Sequence, residues 1–124
     1  MPKSPKSEVL FDVSRNMIRM RYNGHVAAAE MKAYADEVRR LLPQVRKGFT
    51  VLTDLSGLHS MELDCATELT KVMDEFKVRG VGTVVRIVPD PAKDIGFNIL
   101  SVVHYRRGVK VVTCQTADDA ERAL

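Results

Sequence analysis

The sequence predicts an α/β domain built on a single mixed sheet of five strands, mostly parallel, with four helices in the order ββαβαβαβα. Three observations carry that expectation. The chain opens with two short apolar runs joined by a turn-like Ser14-Arg15-Asn16, the pattern of an antiparallel hairpin. Helical stripes then alternate with short β-branched runs, and repeated strand–helix units need crossovers that leave the strands parallel. A length of 124 residues suits one domain that buries a core without staples.

The elements follow in order. MPKSPKS, residues 1–7, reads as a disordered leader, and residues 8–124 form the domain. In "EVLFDVSRNMIRMRYNG", Val9, Phe11 and Val13 alternate along the first strand. Ile18 and Met20 alternate with Met17 and Arg19 along the second, which Asn23-Gly24 stops. "HVAAAEMKAYADEVRRLLPQV" carries Met31, Tyr34, Val38, Leu41 and Leu42 at helical spacing, with Pro43 as its stop. "FTVLTDL" is a short apolar run suited to a central buried strand. A second helix is expected to start at Met61 with Ser60 as N-cap, to face Ala66, Leu69, Val72, Met73 and Phe76 inward, and to stop at Gly80. "GTVVRIVP" is the next strand. A third helix runs through Ile95, Ile99, Leu100 and Val103. "VKVVTC" is the fifth strand, and Thr116 caps a last helix whose Asp118 and Asp119 suit the positive end of its dipole.

Composition excludes several classes of function. Net charge is +3, and the basic residues are spread along the chain rather than gathered in an arm with interleaved aromatics. That argues against nucleic-acid binding. No apolar run is long enough to span a bilayer, and the leader lacks the apolar stretch of a secretory signal. Cys65 and Cys114 fit neither a zinc spacing nor a disulfide framework and read as reduced thiols in a cytoplasmic protein. No glycine-rich phosphate loop or cofactor signature is present: Gly80 and Gly82 lie between helix and strand, on the wrong side for a cradle.

The order of elements, with two stretches of sequence, resembles the STAS domain family of SpoIIAA-like anti-sigma factor antagonists. "FTVLTDLSGLHSM" is similar to the family's "vvlDlsgvtfmDSSGL" junction, and "GVKVVTCQTADDAERAL" is similar to its last strand and short helix. The resemblance implies a non-enzymatic regulatory module whose partner is a protein, such as an anti-sigma factor or a kinase-like regulator. In the family an Asp-Ser pair follows this junction, and the serine is phosphorylated by the anti-sigma kinase. Here the alignment puts Glu62 at the aspartate and Leu63 at the phosphoserine. A two-residue gap puts Asp64-Cys65 there instead. Neither Leu63 nor Cys65 carries a hydroxyl, so the usual phosphoacceptor is missing.

The junction itself raises the chemical questions. Asp54, Ser56, Gly57, Leu58, His59, Ser60, Met61, Glu62, Leu63 and Asp64 form the candidate partner-docking loop, with Leu58, Met61 and Leu63 as its apolar contacts. Ser56, Ser60 and Thr67 are candidate displaced phosphoacceptors. Phosphate at Ser60 would be repelled by Glu62 and Asp64. Asp54, Glu62 and Asp64 could hold a metal or exchange protons, although acidic residues are favoured at a helix start for the dipole alone, and no metal is assigned. His59 and Cys65 suggest a nucleophile–base pair but lack a third orienting group, so no catalytic residue is assigned. His25 and His104 sit near helix ends, without metal spacing. The alternative function is a small-ligand or lipid-binding protein of SpoIIAA-like fold, using the strand ends at Asp54, Ser56, Val88-Pro89-Asp90 and Thr113. A homodimer is compatible with either function.

Overall fold

Alternation along the first two strands fixes which way they face. β1 (Glu8–Asp12) and β2 (Met17–Arg21) pair antiparallel, joined by a turn in which Asn16 takes φ 52°, a left-handed conformation that Asn tolerates. This is the expected hairpin. The computed structural model describes residues 7–88 and 108–124. Along the chain follow β3 (Gly24–Val26), α1 (Ala28–Leu41) with a 3-10 turn at Leu42–Gln44, β4 (Thr50–Asp54), β5 (Leu58–Met61) and α2 (Cys65–Val78). β6 (Thr83–Ile87), β7 (Lys110–Cys114) and α3 (Ala117–Ala123) complete the described elements. The helix expected through Ile95 and Val103 lies outside the described residues, as do residues 1–6, Pro89-Asp90 and His104. Ser7 is described, and its hydroxyl accepts a hydrogen bond from Asn23 N at 2.9 Å.

The five expected strands form one mixed sheet in the order β1-β2-β4-β6-β7, antiparallel at β1–β2 and parallel elsewhere. Register aligns an apolar row across its full width: Phe11, Ile18, Val51, Val84 and Val111. α1 and α2 cover this face, placing Met31, Ala35 and Val38 from one helix and Leu69, Val72 and Phe76 from the other against the row. Phe49 and Phe76 meet edge to face with centroids 5.9 Å apart. Burial of an aliphatic or aromatic side chain of this size contributes about 2 kcal/mol. The opposite face carries Met17, Leu52, Val85, Ile87 and Cys114, with Ala120 of α3 packed on them.

The structure corrects the expected count of five strands, while the remaining expected helix, through Ile95 and Val103, lies outside the described residues. Among the described residues there are three α-helices and seven strands, because β3 and β5 pair as a separate two-stranded parallel sheet. His25 and Val26 therefore belong to a strand, and α1 starts at Ala28. Leu58–Met61 is likewise a strand, and α2 starts four residues later than Met61, at Cys65. At the first turn it is Cys65, four residues before Leu69 on the same stripe, that faces inward, and Ala66 faces solvent. Tyr34 and Leu41 are half-buried rather than central. The expected ends hold. Pro43 lies in the 3-10 turn after α1, and Thr116 Oγ1 accepts from Asp119 N at 3.1 Å.

Gly80 stops α2 through a paired set of bonds. Gly80 N donates to Lys77 O and Val81 N to Phe76 O, each at 3.0 Å, while Gly80 takes φ 87°. A Cβ at Gly80 would stand 2.9 Å from Lys47 Cγ. Gly80→Ala is expected to lose about 1–2 kcal/mol of stability, read as a lower midpoint in urea at unchanged slope.

Candidate functional site

The site is built where β4 leaves the sheet. Asp54 O accepts from Tyr22 N at 3.2 Å, and Leu55 N donates to Ile87 O at 3.0 Å, so the chain exits between β2 and β6. A turn follows, closed by Leu58 N to Leu55 O at 3.1 Å. Asp54 Oδ1 accepts from Ser56 N at 2.9 Å and from the Ser56 hydroxyl. Its other oxygen lies 3.4 Å from Arg21 Nε, and Arg21 in turn lies 3.6 Å from Glu8. Asp54 is thereby a turn-forming and ion-paired residue.

Gly57 packs directly on Asn23. A Cβ at position 57 would fall 1.9 Å from Asn23 Oδ1, and Gly24 N donates to Gly57 O at 2.8 Å. This contact brings β3 and β5 side by side. Their register sets Gly24 opposite Leu58, His25 opposite Ser60 and Val26 opposite Met61, with an irregularity that leaves exposed His59 as the extra residue. Ser60 consequently caps no helix: its hydroxyl lies 2.6 Å from His25 Nδ1. Leu58 and Met61 are half-buried and pack on the core, so they form the root of the loop rather than its tip.

The end of the loop joins the two helix starts. Glu62 N donates to Val26 O at 3.0 Å, and a tight turn brings Cys65 N to Glu62 O at 3.0 Å. Ala27, at the N-cap of α1, has no side-chain acceptor. Glu30 Oε1 receives Ala27 N at 3.2 Å, and Glu62 Oε1 receives Ala28 N at 2.6 Å. Glu62 thus caps a helix other than its own, at the positive end of that helix's dipole. Asp64 precedes α2 and makes no capping bond. Leu63, between them, is 93% exposed.

These placements separate the sequence candidates. Asp54, Glu62 and Asp64 hold three different roles, and among the described residues no group of three or more His, Cys, Asp or Glu side chains could hold a metal. Cys65 is fully buried, and its thiol contacts Val26 O at 3.6 Å. Burial pushes the thiol up from its ordinary range, assisted by the nearby carboxylates of Glu62, Asp64 and Glu30. That is the reverse of an activated nucleophile. Ser56 is exposed but bonded to Asp54, Ser60 is half-buried against His25, and Thr67 is exposed on the first turn of α2. Asn23 and the second cap on α1 were not anticipated from sequence. The Gly24 and Gly57 pair was the one local sign of a close backbone approach.

Two spaces adjoin the site, and larger open clefts of about 360 and 420 Å³ lie away from it, over Arg39, Leu42 and Val78 and over Arg15, Met17 and Leu124. Beneath α2 a cavity of about 30 Å³ is lined by Met20, Tyr22, Thr53, Leu69, Phe76 and Arg86. That is room for a water, whereas small-molecule sites start near ~300 Å³. Beside Asp54 a cleft of about 130 Å³ runs over Leu10, Leu52, Arg19, Arg21 and Glu8. Its cations and carboxylates alternate, so it presents no single sign of charge to a ligand.

No family model and no curated protein matches this chain. Solved structures do. An uncharacterised DUF3478-family protein with a SpoIIAA-like fold from Shewanella loihica PV-4 superposes at TM-score 0.72 and 12% identity, covering 100% of this chain and 98% of that one. The phosphorylated form of the Bacillus cell fate determinant SpoIIAA gives TM-score 0.65 at 14% identity, covering 95% and 99%. An anti-sigma factor antagonist from Mycobacterium paratuberculosis gives 0.62 at 14%, covering 95% and 92%. At these identities the likeness is one of fold, and the chain has the STAS-type, SpoIIAA-like fold.

Three substitutions test the geometry. Gly57→Ala must displace Asn23 and is expected to cost about 2 kcal/mol, measured by chemical denaturation. Glu62→Ala should lose about 1 kcal/mol as a capping residue. Asp64→Ala, with no cap to lose, should stay within about 0.5 kcal/mol. Equal costs for the last two would refute the assignment of Glu62 as the cap of α1.

Proposed function

We propose that this chain is a non-enzymatic, cytoplasmic STAS-like regulatory module. It docks a protein partner through the 54–64 loop and the first turns of α2, without the phosphorylation switch of its fold relatives. The observation that carries the reading is Leu63. Its side chain is 93% exposed, at the position that the family resemblance aligns with the phosphoserine. The turn is held: Glu62 N donates to Val26 O, Glu62 Oε1 accepts from Ala28 N, and the carbonyl of Leu63 itself accepts from Ala66 N at 3.0 Å. A leucine presented on an ordered turn contributes apolar contact without the entropy cost of ordering a loop on binding.

The absence of a switch follows from the hydroxyls available. Leu63 has none. A phosphate on Ser56 would face the Asp54 carboxylate that now accepts its hydrogen bond. Ser60 would carry its phosphate beside Glu62, and Thr67 lies next to Glu68 in sequence. The neighbours described as anti-sigma factor antagonists make an anti-sigma factor, or a kinase-like regulator of that kind, the partner class of this reading. The helices described here offer no membrane-crossing alternative: none is long and apolar enough to span a bilayer.

Capture from the source cell with the wild-type chain and with Leu63→Asp tests the docking surface. The wild type should retain a kinase-like regulator. The variant should bind at least about tenfold more weakly, a loss of about 1.4 kcal/mol, with unchanged circular dichroism. Equal retention by both would remove Leu63 from the interface. Intact mass of the cellular protein should show no phosphate. A phosphate located at Ser56, Ser60 or Thr67 would restore the switch and overturn that part of the reading.

A further inference from the structure

Among the described residues, the two segments from which α1 and α2 begin carry a charge opposite to that of the chain. Of 19 Lys and Arg residues, none falls within these segments, residues 22–31 and 55–70. Those segments carry Glu30, Glu62, Asp64 and Glu68. Glu68 is tied to Arg39 at 3.6 Å and Lys71 at 3.5 Å. Among the described residues, the other three have no ion pair. Glu30 and Glu62 each place one oxygen on adjacent amides, Ala27 N and Ala28 N, which brings the two carboxylates together. Asp64 stands two residues beyond Glu62, with no bond to the loop. All three are exposed, and Leu63 stands between the second and third. The upward push that all three exert on the Cys65 thiol agrees with one shared acidic field.

We infer that this docking surface accepts a partner segment that presents apolar side chains flanked by Lys or Arg, and that it rejects acidic segments. The inference rests on the docking reading above and adds the partner's chemistry. Leu63 supplies the apolar contact. Three same-sign carboxylates around it, none ion-paired among the described residues, attract a basic flank and repel an acidic one at close range.

The test uses the full chain, isotope-labelled, and two short synthetic amphipathic peptides that share one leucine face and differ only in carrying Lys or Glu beside it. The Lys peptide should shift amide signals of residues 27–31 and 58–67 and should weaken as salt is raised. The Glu peptide should bind at least about tenfold more weakly. Leu63→Asp should abolish Lys-peptide binding although it adds negative charge, which separates apolar docking from simple ionic attraction. Asp64→Lys, which disturbs no hydrogen bond of the loop, should reverse the preference between the peptides. Equal binding of both peptides, or shifts mapping elsewhere, would overturn the inference. In the cellular capture, a partner lost with Leu63→Asp but held by Asp64→Lys would overturn this inference and leave the docking reading standing. A partner held equally by both variants would remove both.

Discussion

The Val26 carbonyl is the point on which this end of the fold depends. It accepts from Glu62 N and lies against the Cys65 thiol, while Glu62 returns a bond to Ala28 N. One short crossing of β3 and β5 thus decides where both α1 and α2 begin. The physical need is clear from the exits of β2 and β4. Chain leaving the sheet at its C-terminal edge carries amides and carbonyls that require partners. Pairing two exit segments with each other satisfies those groups, and the helices start only after the pairing ends. The delayed start of α2 is a consequence of that accounting rather than of local helix propensity.

The same accounting explains why the polar residues at the junction do not form a reactive centre. Three of them are already committed to structure. Asp54 holds the turn and Arg21, Glu62 caps α1, and Ser60 meets His25. Cys65 is drawn inward when β5 displaces the helix start, and burial then favours the neutral thiol. Leu63, Glu30, Glu62 and Asp64 are exposed, as are Ser56 and His59. It is on the first four that the proposed docking rests.

The strands of the main sheet were legible because each alternates or runs apolar over five residues, and the register row from Phe11 to Val111 repeats that pattern across the sheet. The inward stripe of α2 was legible from Leu69 onward for the same reason. Its start was not. Ser60, Met61 and Glu62 look locally like a cap and a first turn, and only pairing with residues 24–26, more than thirty positions away, puts Ser60 and Met61 in a strand. Gly57 is similar: its demand for no side chain comes from Asn23, a contact that periodicity does not encode. The aligned position of Leu63 was legible through the family resemblance, whereas its exposure depended on where α2 begins. Had the helix started at Met61, position 63 would have fallen inside its first turn.

Exposed apolar side chains are common and by themselves mean little. Val78 is 87% exposed, nearly as much as Leu63. The two differ in what surrounds them. Val78 ends α2 between Lys77 and Arg79, at a helix end where basic residues complement the dipole and flexible stems can shade it. Leu63 sits in a stretch without a single long basic side chain, on a turn held by Glu62 N on Val26 O and Ala66 N on Leu63 O. In the proposed docking, an exposed apolar group beside carboxylates of one sign would combine a contact that strengthens binding with a charge pattern that selects among partners.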